Sequence, residues 1–433
     1  MAKKNTNITV IRTGTPQSKK LFAARAASHH QRNEEVTAQV TAICDDVKKR
    51  GNKALVDFAR QFDKVELTPK RLHISEKEIT TAAARTTPRL KAAIKAAAQR
   101  ITAYHKNQIR KGFTMKTAEG TLSQLIRPLT RVGLYVPGGH TVYPSTVLMN
   151  AIPAKVAGVS EIVAITPPRG ELDPGIAFAM QLLGITEAYR IGGAQGIAAL
   201  AYGTKTIRPV DKVVGPGNAY VAAAKRHLYG TIDIDSIAGP SDVVILADAT
   251  ANPEWIALDM LSQAEHGSGD EFAACVTEDA KCAEAIAAVL QREIAVSPAA
   301  AVFERLPAHA LVIIITSSRG ESIAVVNDLA PEHLQIMTAS PKTDLKSVRN
   351  AAAVFLGQYT PVALGDYFIG TNHVLPTGGT SRFASPLGVD SFVKRMSVAE
   401  ATPAGLDACA PFVSTFARSE SFIHHALSVE RRC

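Results

Sequence analysis

Val132-Gly-Leu-Tyr-Val136, Glu161-Ile-Val-Ala-Ile-Thr166, Ala188-Tyr-Arg-Ile-Gly192 and Lys212-Val-Val-Gly215 are four short apolar runs separated by stretches with helical spacing. Each is too short for a buried helix and rich in strand-forming residues, and glycine follows or ends most of them. Alternation of this kind predicts a parallel sheet with crossover helices. Downstream, Val243-Val-Ile-Leu-Ala-Asp248, Ala273-Ala-Cys-Val-Thr277, Leu311-Val-Ile-Ile-Ile-Thr316 and Ala352-Ala-Val-Phe-Leu-Gly357 repeat the arrangement. Two α/β units are therefore expected, with a break near Ala238-Gly-Pro-Ser241. Upstream, Glu34 to Asp63 and Ser75 to Gln108 carry apolar residues at three- and four-residue spacing and read as a helical prelude. Open parallel sheets bind ligands beyond the carboxyl ends of their strands, so a cleft between the two units is the expected site.

With 433 residues, 46% of them hydrophobic, the chain can bury more than one core without covalent staples. Its five cysteines are scattered and odd in number, which argues against a disulfide framework or a thiolate metal site and points to a reduced, cytoplasmic setting. The net charge of +9 is interleaved with acids, as in Asp45-Asp46-Val47-Lys48-Lys49-Arg50, and forms no basic block with aromatics. No nucleic-acid partner is expected. Nor is a membrane partner, because no run approaches the roughly 20 apolar residues of a span.

Ligand-type side chains collect in the second half: Gln263 with His266, Glu332 beside His333, Asp366 with His373, and Glu420 with His425. In the first pair, Asn252 suits an N-cap, Pro253 the first turn and Gly267 the stop, so Gln263 and His266 are placed on one face of a helix's last turn. Two such donors, a carboxylate such as Asp366 and a second imidazole would complete a tetrahedral, zinc-like set. Singly, each has a plainer reading: a capping pair, the polar end of a helix for Glu332-His333, a loop cap for Asp366, and a solvated tail for His424-His425. Glycine clusters follow predicted strands at Pro137-Gly-Gly139, Gly192-Gly-Ala-Gln195 and Gly215-Pro-Gly-Asn218, but no Gly-x-Gly-x-x-Gly fingerprint does.

Taken together, Tyr135-Val-Pro-Gly-Gly139, Tyr143-Pro-Ser-Thr-Val-Leu-Met149, Gly192-Gly-Ala-Gln195, Val214-Gly-Pro-Gly-Asn218, Ile237-Ala-Gly-Pro-Ser241, Leu261-Ser-Gln-Ala-Glu-His266, Ala330-Pro-Glu-His-Leu334 and Gly365-Asp366 through Asn372-His-Val-Leu-Pro-Thr377 resemble the histidinol dehydrogenase family. The likeness runs from about Glu34 to Val429. It implies an NAD-dependent, two-step oxidation of L-histidinol to L-histidine through enzyme-bound L-histidinaldehyde, the last steps of histidine biosynthesis. It further implies one zinc ion per subunit on Gln263, His266, Asp366 and His425. Substrate contacts fall on Ser241, Gln263, His266, His333, Asp366, His373, Glu420 and His425, and NAD contacts on Tyr135, Gln195 and Asn218. In the implied mechanism His333 takes the hydroxyl proton and Glu332 activates the water that attacks the aldehyde, two tasks that call for two differently aimed bases.

The family pattern has Glu420 and His425 reaching into the other subunit of a homodimer with shared active sites. It implies an α/β fold of two incomplete Rossmann-like parallel-sheet domains with small terminal extensions. Applied to this chain, residues 1–32 form an N-terminal extension, 33–133 and 241–386 one discontinuous domain, 134–240 an inserted domain that binds NAD, and 387–433 a dimerisation tail. The family commonly has Glu-Gly-Leu-x-Ala-His where this chain reads Glu420-Ser-Phe-Ile-His-His425, and many relatives have Ala where Gly196 stands. His424 would leave a helix about 100° from His425 and miss the metal. The alternative function is a paralogous zinc- and NAD-dependent dehydrogenase of another small alcohol, such as sulfopropanediol; a zinc hydrolase leaves Tyr135, Gln195 and Asn218 unexplained.

Overall fold

The computed structural model describes residues 8–28, 34–138, 143–168, 170–237, 239–266, 269 and 271–433. Along the chain, β1 (Ile8–Arg12) and α1 (Pro16–Ser28) precede α2 (Glu34–Arg50), α3 (Asn52–Phe58), β2 (His73–Ile74), α4 (Glu76–Ala84) and α5 (Pro88–Lys106). A hairpin of β3 (Phe113–Lys116) and β4 (Gly120–Pro128) leads into β5 (Arg131–Tyr135), α6 (Pro144–Ala157), β6 (Glu161–Thr166), α7 (Pro174–Leu182), β7 (Glu187–Arg190), α8 (Gly193–Tyr202), β8 (Lys212–Val214), α9 (Ala219–Leu228) and β9 (Asp233–Ile234). The second set is β10 (Asp242–Ala247), α10 (Pro253–Ala264), β11 (Phe272–Thr277), α11 (Ala280–Val296), α12 (Ala300–Phe303), β12 (Leu311–Ile315), α13 (Arg319–Leu329), β13 (His333–Met337), α14 (Pro341–Leu345), β14 (Ala353–Leu356) and α15 (Val362–Tyr367). The chain closes with β15 (Val393–Ala401), α16 (Pro403–Ser419) and α17 (Ile423–Glu430).

These strands form two six-stranded sheets, ordered β2-β7-β6-β5-β8-β9 and β1-β12-β11-β10-β13-β14, and a three-stranded ribbon β15-β4-β3. All pairings in the large sheets are parallel except β2 with β7. Parallel sheets need cover on both faces, and the apolar runs supply it. In β10, Val243, Ile245 and Ala247 face a core shared with Ile256 and Met260 of α10, while Val244 and Leu246 face Val326 and Leu329 of α13. Each such Val, Ile or Leu contributes about 1.5–3 kcal/mol on full burial. The sheets divide between β9 and β10, close to Ser241, as the pattern of runs predicts; Ala238 lies outside the described residues.

The partition of the remaining chain differs from expectation. Residues 33–133 were grouped with 241–386, yet α2 packs on α8 and α9, α4 on α7 and α5 on α6, all around the first sheet. Val40, Val47 and Leu55 share one core with Val163 and Leu200, and Ile79, Ile94 and Ile101 share another with Val132 and Leu134. The physical reason is contact area: the apolar stripes of these helices fit the two bare faces of the adjoining sheet. Likewise β1, expected in a terminal extension, is the edge strand of the second sheet, paired in register from Ile8–Leu311 to Arg12–Ile315. Asn33 and residues 1–7 and 29–32 lie outside the described residues.

Candidate active site

The first sheet reverses strand order between β5 and β8, and the three expected NAD contacts gather around that reversal. Tyr135 ends β5, Gln195 lies in the first turn of α8, and Asn218 caps α9, its Oδ1 accepting from Tyr220 N and Val221 N at 3.1 Å each. Glycine is required between them. Gly215 has φ +116°, and a Cβ there would sit 2.2 Å from Tyr135 O; Gly193 has φ +61° and would meet Gln195 Oε1 at 2.7 Å. The Tyr135 hydroxyl accepts from Gly193 N at 3.2 Å, bracing one loop on the other. Both glycines are thus demanded by the close packing of the loops on one another, which brings Tyr135, Gln195 and Asn218 to the same strand ends. Gly139 lies outside the described residues.

In the second sheet the candidate residues gather at the opposite edge from the one expected. Ser241 and Glu332 directly precede β10 and β13, and His333 opens β13, so they stand at the amino ends of their strands. Glu332-His333 is therefore a strand entry, not the end of a helix. The turn before it is tight: Ala330, without glycine's freedom, sits at φ 46°. Asn252 caps α10 through Glu254 N with Pro253 behind it, as predicted, but the helix ends at Ala264 and His266 lies beyond it in a turn. Gly267, the expected stop, lies outside the described residues. Asp366 lies within α15, and the segment after it crosses to the first sheet. There Asn372 Nδ2 donates to Met149 O at 2.7 Å, and Val374 and Leu387 enter its core. Burial raises the Tyr367 hydroxyl, and the charges of Asp366, Tyr143 and Glu265 add to the rise.

Three imidazoles share one device. His333 Nδ1 donates to Asp242 O at 3.1 Å, His266 Nδ1 to Gln263 O at 2.9 Å, and His373 Nδ1 to Asp366 O at 2.9 Å. A carbonyl only accepts, so each bond fixes the proton on Nδ1 and leaves Nε2 as the free base or ligand atom. All three act electrostatically on the Asp366 carboxyl: burial opposes its ionisation, but His333, His373 and His266 hold it below the usual range. His333 Nε2 lies 3.5 Å from Asp366 Oδ1, an electrostatic contact rather than a formed hydrogen bond, and is left buried without a hydrogen-bond partner. Gln263 is 3% exposed and its Nε2 is also orphaned. Such an orphan points to an absent partner, and a 180° rotation of the amide puts Oε1, a metal-ligating atom, in its place. Oxygen and imidazole donors of this kind suit zinc, although among the described residues no three His, Cys, Asp or Glu groups are already arranged around a metal position in the single chain.

Asp242, which sequence reasoning passed over, organises the base pair. Its carboxylate accepts from Glu332 N at 2.7 Å, and its own N–H donates to Glu332 Oε2 at 3.1 Å. Its only sequence signal is its place directly after Ser241 at a strand start. Burial raises the Glu332 carboxyl to about 7, with Asp242 adding to the rise. Burial pulls His333 down, but the carboxylates of Glu332, with Nδ1–Oε2 at 3.8 Å, and Asp366 raise it to about 9. Occupation of Asp366 by a ligand removes one of those two attractions. Burial lowers His373. Glu420 and His425 stand apart: both are exposed, and neither makes a hydrogen bond or ion pair with this cluster in the single chain.

A family model described as histidinol dehydrogenase matches residues 26–433. Histidinol dehydrogenases from Rhizobium meliloti (strain 1021) and Gluconobacter oxydans (strain 621H) are 44% and 45% identical over 413 residues, spanning 95% of this chain and 95% and 96% of their own. The chain belongs to the histidinol dehydrogenase family. A crystal structure of histidinol dehydrogenase from Elizabethkingia anophelis superposes with a TM-score of 0.91 at 34% identity, covering 99% of this chain and 98% of that one. Membership makes the chain an NAD-dependent oxidoreductase of histidine biosynthesis with histidinol as substrate, in a family generally dependent on NAD and zinc. Among the described residues no helix is long and apolar enough to cross a membrane.

Proposed function

We propose that His333 and Glu332 divide the two oxidations of L-histidinol between them, and that the anchoring of three histidines through Nδ1 is what makes the site work. His333 Nε2 takes the hydroxyl proton as the carbinol carbon gives up hydride to the first NAD, bound by Tyr135, Gln195 and Asn218. Glu332, a carboxyl poised near neutrality, takes a proton from water as its oxygen attacks the aldehyde carbon. His333 returns its proton to the carbonyl oxygen to complete the hydrate, then takes a hydrate hydroxyl proton as the carbon gives a second hydride to a second NAD, and the carboxylic acid so formed ionises to the carboxylate. Gln263, His266 and Asp366, with His425 of a second copy, would hold one zinc ion, which when bound orients the substrate's nitrogens and keeps the aldehyde in place. Ser241 and His373 line the same cleft, and Glu420 of the second copy would face the substrate ammonium.

The exposure of Glu420 and His425 supports a homodimer with shared sites, as does apolar surface around them. Phe412 and Phe416 of α16 are 72% and 71% exposed, and the ribbon shows Phe113, Met115 and Leu122 on one face and Met396 and Val398 on the other. Apolar surface of this extent is characteristic of an interface. The chemistry is tested by counting NADH formed per L-histidinol consumed by the zinc-loaded enzyme. Two is the expected ratio, and a ratio of one would reduce the protein to a simple alcohol dehydrogenase.

A further inference from the structure

The loop that carries Asn218 is held from beneath by a buried ion pair. Lys225 of α9 and Asp235, which follows β9, have side chains only 2% and 5% exposed, with Lys225 Nζ 2.7 Å from Asp235 Oδ1. Both grip the same residue. Asp235 Oδ2 accepts from Gly215 N at 2.7 Å, and Lys225 Nζ donates to Gly215 O. Asp235 Oδ1 also accepts from Ser236 N at 2.7 Å, so neither carboxylate oxygen is left bare. Gly215 is the residue whose missing Cβ lets the loop close on Tyr135 O, and Asn218 follows three residues later.

Desolvating two charges is costly, and a pair serving only to fill space is replaceable by apolar side chains of similar volume with little loss. What an apolar pair cannot do is hold the N–H and the C=O of one peptide-flanked glycine in a left-handed conformation at a strand end. We infer that Lys225 and Asp235 are positioning residues for NAD, setting the spacing of Tyr135 and Asn218 through Gly215. They touch no cofactor atom themselves. The inference rests on the reading of Tyr135 and Asn218 as cofactor contacts.

The test compares Lys225→Met, Asp235→Leu and the double variant on the zinc-loaded enzyme, by NAD Kd from calorimetric titration, KM for NAD and for histidinol, and thermal midpoint. Each single change leaves one buried charge alone and should lower the midpoint; the double change removes both and should recover most of it. The double variant should nonetheless bind NAD about tenfold more weakly, because loop placement is lost, with the histidinol KM within about twofold. Wild-type NAD affinity in a folded double variant, or an equal rise in both KM values, would overturn the inference. Should the double variant fail to fold, Asp235→Asn keeps an acceptor for Gly215 N and must weaken NAD less than Asp235→Ala; equal losses overturn it as well. Asn218→Ala and Tyr135→Phe serve as separate controls. If these leave NAD affinity unchanged, the reading of the cofactor contacts fails, whatever the ion pair does.

Discussion

Glu332 and His333 are chain neighbours, yet it is burial that couples them. Removed from water, the carboxyl rises to about 7, and the carboxylates around the imidazole favour its charged form until a ligand takes up Asp366 and frees Nε2 to act as base, so each group's proton depends on the other's. Glu332→Gln separates their tasks with little structural disturbance, because the amide oxygen still accepts from Asp242 N. With histidinaldehyde as starting substrate the variant should lose about 10²- to 10⁴-fold in rate, the range ascribed to a general base. The first oxidation of histidinol should fall by no more than about tenfold. Equal losses on both substrates would sink the division of labour. Both residues could be read from sequence as base-type side chains, but Asp242, which cross-bonds them, could not, since an aspartate at a strand start has no distinctive pattern.

At the scale of the element, the junction between α16 and α17 explains a departure from the family pattern. Ser421 N donates to Arg418 O at 3.1 Å and Phe422 N to Ala417 O at 2.7 Å, the pair of bonds that closes a helix when the residue after the cap is left-handed. Ser421 is that residue, with φ 65°. Glycine, which the family resemblance leads one to expect at this place, adopts the conformation without strain, whereas a side chain there costs about 1 kcal/mol. Ser421→Gly should therefore stabilise the tail by about 1 kcal/mol, seen as a thermal midpoint higher by roughly 2 °C, with activity retained. A lower midpoint would show that the serine side chain itself is needed. The opposite edge of the second sheet illustrates another element-level decision. Arg319, at the start of α13, pairs with Glu278 at 2.8 Å, Asp344 at 3.1 Å and Asp248 at 3.2 Å, closing the carboxyl ends where a ligand was expected. Arg319→Met leaves three partly buried carboxylates facing one another and should cost about 2–4 kcal/mol in chemical denaturation, with histidinol and NAD constants unchanged. A variant as stable as wild type would show the cluster to be dispensable.

For the whole molecule, the issue is which chain completes each site. If Glu420 and His425 serve a second copy, then His333→Ala and His425→Ala subunits, each inactive alone, should regain activity when mixed. The mixed dimer has one site with an intact His333 and an intact incoming tail, and one with neither, so up to about half of its sites work under two-fold symmetry. Subunit exchange verified by mass, with no recovered turnover, would show that each tail serves its own chain.

The runs from Val132 to Gly215 and from Val243 to Gly357 determined the two parallel sheets, because strands buried on both faces must be apolar throughout and that composition is local. The family motifs determined the identities of Gln263, His266, Glu332, His333, Asp366 and His373 as candidates. Tertiary structure decided what local periodicity does not encode. Strands as short as His73–Ile74 carry too little pattern to be read, and the pairing of β15 with β4 joins segments far apart in the chain. The assignment of α2 to α5 to the first sheet followed from which bare face their stripes could cover. Most of all, only the fold shows that the expected NAD contacts stand at the carboxyl ends of one sheet while the buried bases stand at the amino ends of the other. Sequence names the side chains at each strand end, but long-range packing sets where His333 Nε2 finds Asp366 and where His266 and His373 come to act on its carboxyl.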